Sequence, residues 1–145
     1  MNPTPAMLEA AAEAAAAFLE REGARRDLPF LRAFPQNSCE AASAIFALAI
    51  AAKYRAANVH VAHGYDREHN SSHFWVEVAD YFADLTAHQF RTHSGPITGR
   101  CPNPFEVQFP DVERASPEAA LQRFSPASRA AYALAASDLE KALAA

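Results

Sequence analysis

Between Asn37 and Tyr54 the sequence has the spacing of a helix but no polar side. Ala41, Ala42, Ala44, Ile45, Phe46, Ala47, Leu48, Ala49 and Ile50 cover every direction around its axis. A helix that is apolar all round has to be enclosed, so the other elements must be built around this one. A bilayer is not the enclosure, because the run Ala41–Ala52 is too short to span one and Ser43 interrupts it. Asn37 followed by Glu40 resembles a capping box and predicts where the helix begins.

The flanking elements follow from local signals. Thr4 and Pro5 predict a helix start and Gly23 its end, giving a first helix over about Thr4–Glu22. Val59, Val61 and the stretch from His73 to Thr86 have the β-branched and aromatic content of strands. Ser94–Pro110, with Gly95, Pro96, Gly99, Pro102, Pro104 and Pro110, reads as one long irregular connection. Ser116-Pro117 and Ser125-Pro126 predict two further helix starts. The order is helix, buried helix, strands, helices, which is an α+β class rather than a βαβ one.

At 145 residues the chain is one domain's worth, 1–145, and large enough for a core without staples. Alanine supplies 35 of those residues, so the excess in the 50% apolar content reads as helix-forming filler. A net charge of −4 with no basic run argues against a nucleic-acid partner, which needs a positive face. Glu9 and Glu13 interrupt what would be the apolar segment of a signal peptide, and no basic region precedes them. The expectation is a cytoplasmic protein with no membrane partner, in which Cys39 and Cys101 are reduced. Export by a signal-independent machine would leave no mark on these residues.

Cys39 draws attention by position. It falls in the first turn of the buried helix, where unpaired N–H groups and the helix dipole favour an anion. A thiolate held there is more reactive than a free cysteine. A small core residue is the competing reading.

His73 and Asp84 weigh against that second reading. With Ala79-Asp80 in the turn of a hairpin over 73–86, by a two- or a four-residue loop, Val78 faces Tyr81, Trp75 faces Asp84, and His73 faces Thr86. His73 and Asp84 are then diagonal neighbours on one face, within side-chain hydrogen-bonding reach. Phe74, Val76, Val78, Tyr81, Ala83 and Leu85 form an apolar set on the opposite face. A carboxylate that fixes one tautomer of an imidazole is what the base of a thiol nucleophile requires.

Asn37-Ser38-Cys39-Glu40, His73-Phe74-Trp75-Val76-Glu77 and Asp84-Leu85-Thr86 together resemble the papain-like and transglutaminase-like cysteine superfamily. The histidine strand and the Asp-x-Thr resemble the transglutaminase-like branch most, over a core of about Phe34–Phe90. The resemblance implies a single catalytic domain with a Cys39–His73–Asp84 triad and no cofactor. It also implies an oxyanion site made from the Cys39 backbone N–H and a donor just upstream, Gln36 or Asn37. Papain-like enzymes place their glutamine further ahead of the cysteine than Gln36 stands here. Trp75 and His88 are the other candidates for contact with substrate, although His88 reads equally as a surface residue.

The resulting expectation is a small cysteine-dependent amide hydrolase, a peptidase or deamidase working through an acyl-thioester on a peptide, protein or small-molecule amide. Transfer of the acyl group to an amine, on the same triad, is the alternative reaction. A non-catalytic module is the alternative of another class, and a histidine-rich metal-binding protein is a second. His60 and His63 fall on opposite faces of a strand, however, and no spacing among the six histidines matches a zinc pattern. Cys101 has no base nearby in sequence and reads as incidental, and the charged Glu9–Glu22 face and the Arg25-Arg26 pair read as solvated surface.

Overall fold

The structure, a computed structural model, describes residues 1–55 and 58–143. Among the described residues there are four α-helices and one five-stranded antiparallel sheet. In chain order they are α1 (Pro5–Arg25), α2 (Cys39–Tyr54), β1 (Val59–Asp66), β2 (Ser71–Val78), β3 (Tyr81–Asp84), β4 (Ile97–Arg100), β5 (Asp111–Ala115), α3 (Pro117–Leu121) and α4 (Pro126–Ala142). The strands lie in the order β4-β3-β2-β1-β5.

The apolar helix takes the central place its sequence demands. α2 is packed between β1 and β2 on one side and α4 on the other. Ala42, Ala44, Ile45, Phe46, Ala47 and Ile50 have no accessible surface. One core cluster runs from Leu8 of α1 through these residues to Leu139 of α4. Thr4, Ser116 and Ser125 cap α1, α3 and α4, each hydroxyl accepting from the backbone N–H three residues on.

α1 continues past Gly23 to Arg25, because that glycine serves a close approach rather than a helix end. A Cβ there would stand 2.4 Å from the Leu31 carbonyl oxygen. The charges at this end are not loose surface either. Glu22 is buried beneath Arg25 and Arg26, and Arg26 also pairs with Asp138 of α4 at 2.9 Å.

The irregular connection expected over Ser94–Pro110 contains a strand. β4 pairs with β3, and the chain then turns through 104–107 beneath the sheet before β5 adds to β1. Two short apolar clusters result on the sheet face away from α2, one around Trp75 and Phe82, the other around Phe105 and Phe109. Both faces of β2 are therefore covered.

Candidate functional site

β2 and β3 pair as Val78 with Tyr81, Glu77 with Phe82 and Val76 with Ala83. This is the register of a two-residue turn, and Ala79 adopts a left-handed φ of 52° to close it. Phe74, Val76, Val78, Ala83 and Leu85 consequently face α2. His73 and Asp84 face the other way and meet: His73 Nε2 donates to Asp84 Oδ2 over 2.8 Å. Neither side chain has accessible surface.

Asp84 accepts from two more donors. Asn103 Nδ2 reaches the same Oδ2 at 2.9 Å, and the Thr86 backbone N–H reaches Oδ1 at 3.3 Å. Asn103 is itself fixed, since its Oδ1 caps the turn at 104–107 by accepting from the Phe105 N–H. The loop that covers the sheet thus also holds the carboxylate.

The imidazole sits in an aromatic cage. The Phe90, Phe105 and Phe109 rings lie 5.0, 5.2 and 5.9 Å from the His73 ring, and Trp75 lies at 6.0 Å. Burial opposes a charge on this ring, but hydrogen bonding to Asp84 and to the Cys39 side chain outweighs it and raises the His73 pKa to about 9. With Nε2 occupied by Asp84, Nδ1 is the ring nitrogen that Cys39 shares with Gln89. Gln89 Nε2 lies 3.0 Å from that same atom.

Cys39 is the first residue of α2 and is half-buried. The expected capping box is absent. Ser38, not Asn37, precedes the helix, and its hydroxyl donates instead to the carbonyls of Phe30, at 2.7 Å, and Gln36, at 3.0 Å. Glu40 turns away to Arg123, its Oε2 accepting over 2.6 Å. Ser38 makes no side-chain cap, so among the described residues the N–H groups of the first turn of α2, beside Sγ, have no capping side chain.

Asn37, released from the capping role, is exposed, holds a left-handed φ of 56° and lines the groove beside Cys39. Gln36 is exposed too, with Nε2 donating to the Gln89 carbonyl at 3.5 Å. Trp75 is placed differently from a substrate contact: it has no accessible surface, and its indole N–H donates to Glu77 at 3.2 Å. His88 stands edge-on to Phe34 at 5.5 Å, and burial lowers its pKa.

His60 and His63 do lie on opposite sheet faces, paired with Glu77 and Phe74 respectively. His63 stacks on Phe74 at 3.7 Å, and its burial, with Arg123 and His73 nearby, pushes its pKa down to about 4. Among the described residues, no three metal-binding side chains converge, and no helix is long and apolar enough to cross a membrane. Both cysteines are free thiols.

Asn103, Gln89 and the Phe105–Phe109 cover were not found by sequence reasoning. The one local signal was Asn103-Pro104, a helix-start pair of the same kind as Ser116-Pro117. Comparison of this chain with protein-family models, curated proteins and solved structures finds no match.

Proposed function

We propose that this protein is a cysteine-dependent amide hydrolase of papain-like or transglutaminase-like type, with Cys39 as nucleophile, His73 as base and then acid, and Asp84 as orienting group. The observation that carries the reading is the fully buried His73–Asp84 hydrogen bond on a ring that also interacts with the Cys39 thiol at a helix start. Structural histidines are commonly buried neutral. This one is held toward its charged form inside an apolar cage, which suits a group that stores a proton.

The chemistry follows from that arrangement. Cys39 Sγ, with its proton held on His73 Nδ1, attacks the amide carbonyl carbon. The resulting oxyanion is met by the uncapped N–H groups at the start of α2, with the Asn37 side chain as second donor and Gln36 as the other candidate. His73 returns the proton to the departing amine, and a thioester remains on Sγ. Water then loses a proton to His73, attacks the thioester and releases the acid. Asp84 keeps the ring in one tautomer and stabilises the imidazolium throughout. No metal or cofactor enters any step.

The test is intact mass after incubation with a peptidyl vinyl sulfone, an electrophile shaped like an amide substrate. A single adduct that maps to Cys39 and is lost in Cys39→Ser and His73→Ala supports the reading. Absence of any adduct under conditions where a reference cysteine peptidase is fully modified contradicts it.

A further inference from the structure

A groove of about 410 Å³ opens at Cys39 and runs over Ala41 between the rings of Phe30, Phe74 and Phe124. Its one charged side chain, Glu40, is already neutralised by Arg123, whose guanidinium lies 5.5 Å over the Phe74 ring. Burying an unpaired substrate charge there would be costly, whereas an apolar group meets aromatic surface on three sides.

Phe30 is the second, independent observation. It is a large apolar side chain left 63% exposed, on a backbone with a left-handed φ of 62°. That conformation is unfavourable for a bulky residue and persists only where the surroundings enforce it. Here they do: Ser38 Oγ donates to the Phe30 carbonyl at 2.7 Å, and the Tyr132 hydroxyl donates to the carbonyl of Pro29. Ser38 is the residue before the nucleophile, so one hydrogen bond sets both the start of α2 and the position of Phe30. Phe124 is likewise fixed, edge-on to Tyr132 at 4.9 Å. Strain has been accepted to hold an aromatic ring at the lip of a groove beside Sγ.

We infer that this groove is the subsite for a bulky, uncharged apolar side chain on the acyl part of the substrate, so that the amide attacked follows a hydrophobic residue. The acyl part is assigned because it stays bonded to Sγ through the thioester, and the group seated beside Cys39 must be held through both steps. The inference rests on the catalytic reading above.

Four peptidyl vinyl sulfones, identical except for Phe, Leu, Lys or Asp at the residue next to the electrophile, provide the test, with iodoacetamide as a reagent too small to use the groove. The Phe and Leu probes are expected to modify Cys39 at least about tenfold faster than the Lys and Asp probes. Phe30→Ala should shrink that preference, and Phe30→Asp should raise the Lys probe about tenfold relative to the Phe probe. Phe30 is exposed, so these variants should fold. Equal rates across the panel, with His73-dependent iodoacetamide labelling of Cys39 intact, would overturn the subsite and leave the nucleophile standing. A preference for Phe and Leu that neither Phe30 variant alters would overturn the assignment of this groove. Failure of iodoacetamide to label Cys39 at all would remove the catalytic reading and the subsite together.

Discussion

His73 Nε2 and Asp84 Oδ2 stand 2.8 Å apart on neighbouring strands, with no accessible surface on either side chain. Placing an ionisable pair there is expensive unless every remaining donor and acceptor is matched. Asn103 and the Thr86 N–H supply those matches for the carboxylate, and the surrounding phenylalanines exclude water from the ring. The pair is therefore a rigid unit whose two halves depend on each other.

Asp84→Asn should leave circular dichroism close to wild type, because the amide has nearly the same shape. Reactivity of Cys39 toward iodoacetamide at neutral pH should fall on the order of a thousandfold, since the ring loses both its tautomer control and its counter-charge. Labelling at the wild-type rate would remove Asp84 from the site.

Asn103→Ala should show a smaller loss of the same kind. It deletes one donor to Asp84 and one cap, which together cost about 1–3 kcal/mol. The melting temperature should drop by several degrees while Cys39 labelling slows less than in Asp84→Asn. Asn103→Ser, which can still cap the turn, should recover part of the stability without recovering the labelling rate.

Gly64 pairs with His73 across β1 and β2, and a Cβ there would stand 2.7 Å from the Phe109 carbonyl oxygen and 2.8 Å from the Trp75 ring. Neither neighbour can yield without moving the cage. Gly64→Ala should destabilise the fold by about 1–3 kcal/mol and slow Cys39 labelling as well. An unchanged melting temperature would show that the cage is looser than described.

Two histidines set opposite edges of the stability curve. The His73 pKa is raised to about 9, so its contribution is complete below about pH 6.5, where the unfolded ring also binds a proton, and is lost as pH rises through about 9. The His63 pKa is pushed down to about 4, so folding resists its proton, and stability is lost as pH falls from about 6.5 towards 4. Urea unfolding across pH 4–10 should show both limbs. His63→Phe should flatten the acid limb and leave the alkaline one, whereas loss of the alkaline limb in that variant would contradict the assignment.

What the sequence made legible here was local or periodic. Alternation on both sides of Ala79-Asp80 put His73 and Asp84 on one face for a two- or a four-residue turn, and the two-residue turn that forms brings them together. The apolar run from Ala41 fixed α2 as the central helix. The start of that helix was misread by one residue because Asn37 and Ser38 both have capping side chains. Asn37 tolerates a left-handed backbone, and the Ser38 hydroxyl has better acceptors at Phe30 and Gln36. Prolines and glycines masked β4, whose four residues gain strand geometry only by pairing with β3. Asn103 meets Asp84 across 19 positions of chain, and nothing local to either residue announces the contact.

The most direct test of the account uses the two thiols against each other. Burial, with Glu77 and Glu106 nearby, pushes the Cys101 pKa up to about 11, whereas Cys39 has the His73 ring beside it and a helix start beneath it. Peptide-resolved iodoacetamide labelling from about pH 5 to pH 9 should show Cys39 modified first at every pH, with Cys101 scarcely modified until the alkaline end. His73→Ala should abolish the lead of Cys39. If Cys39 stays inert across the range while Cys101 is labelled as pH rises, or if His73→Ala labels as fast as wild type, Cys39 is a core residue and the catalytic account is wrong.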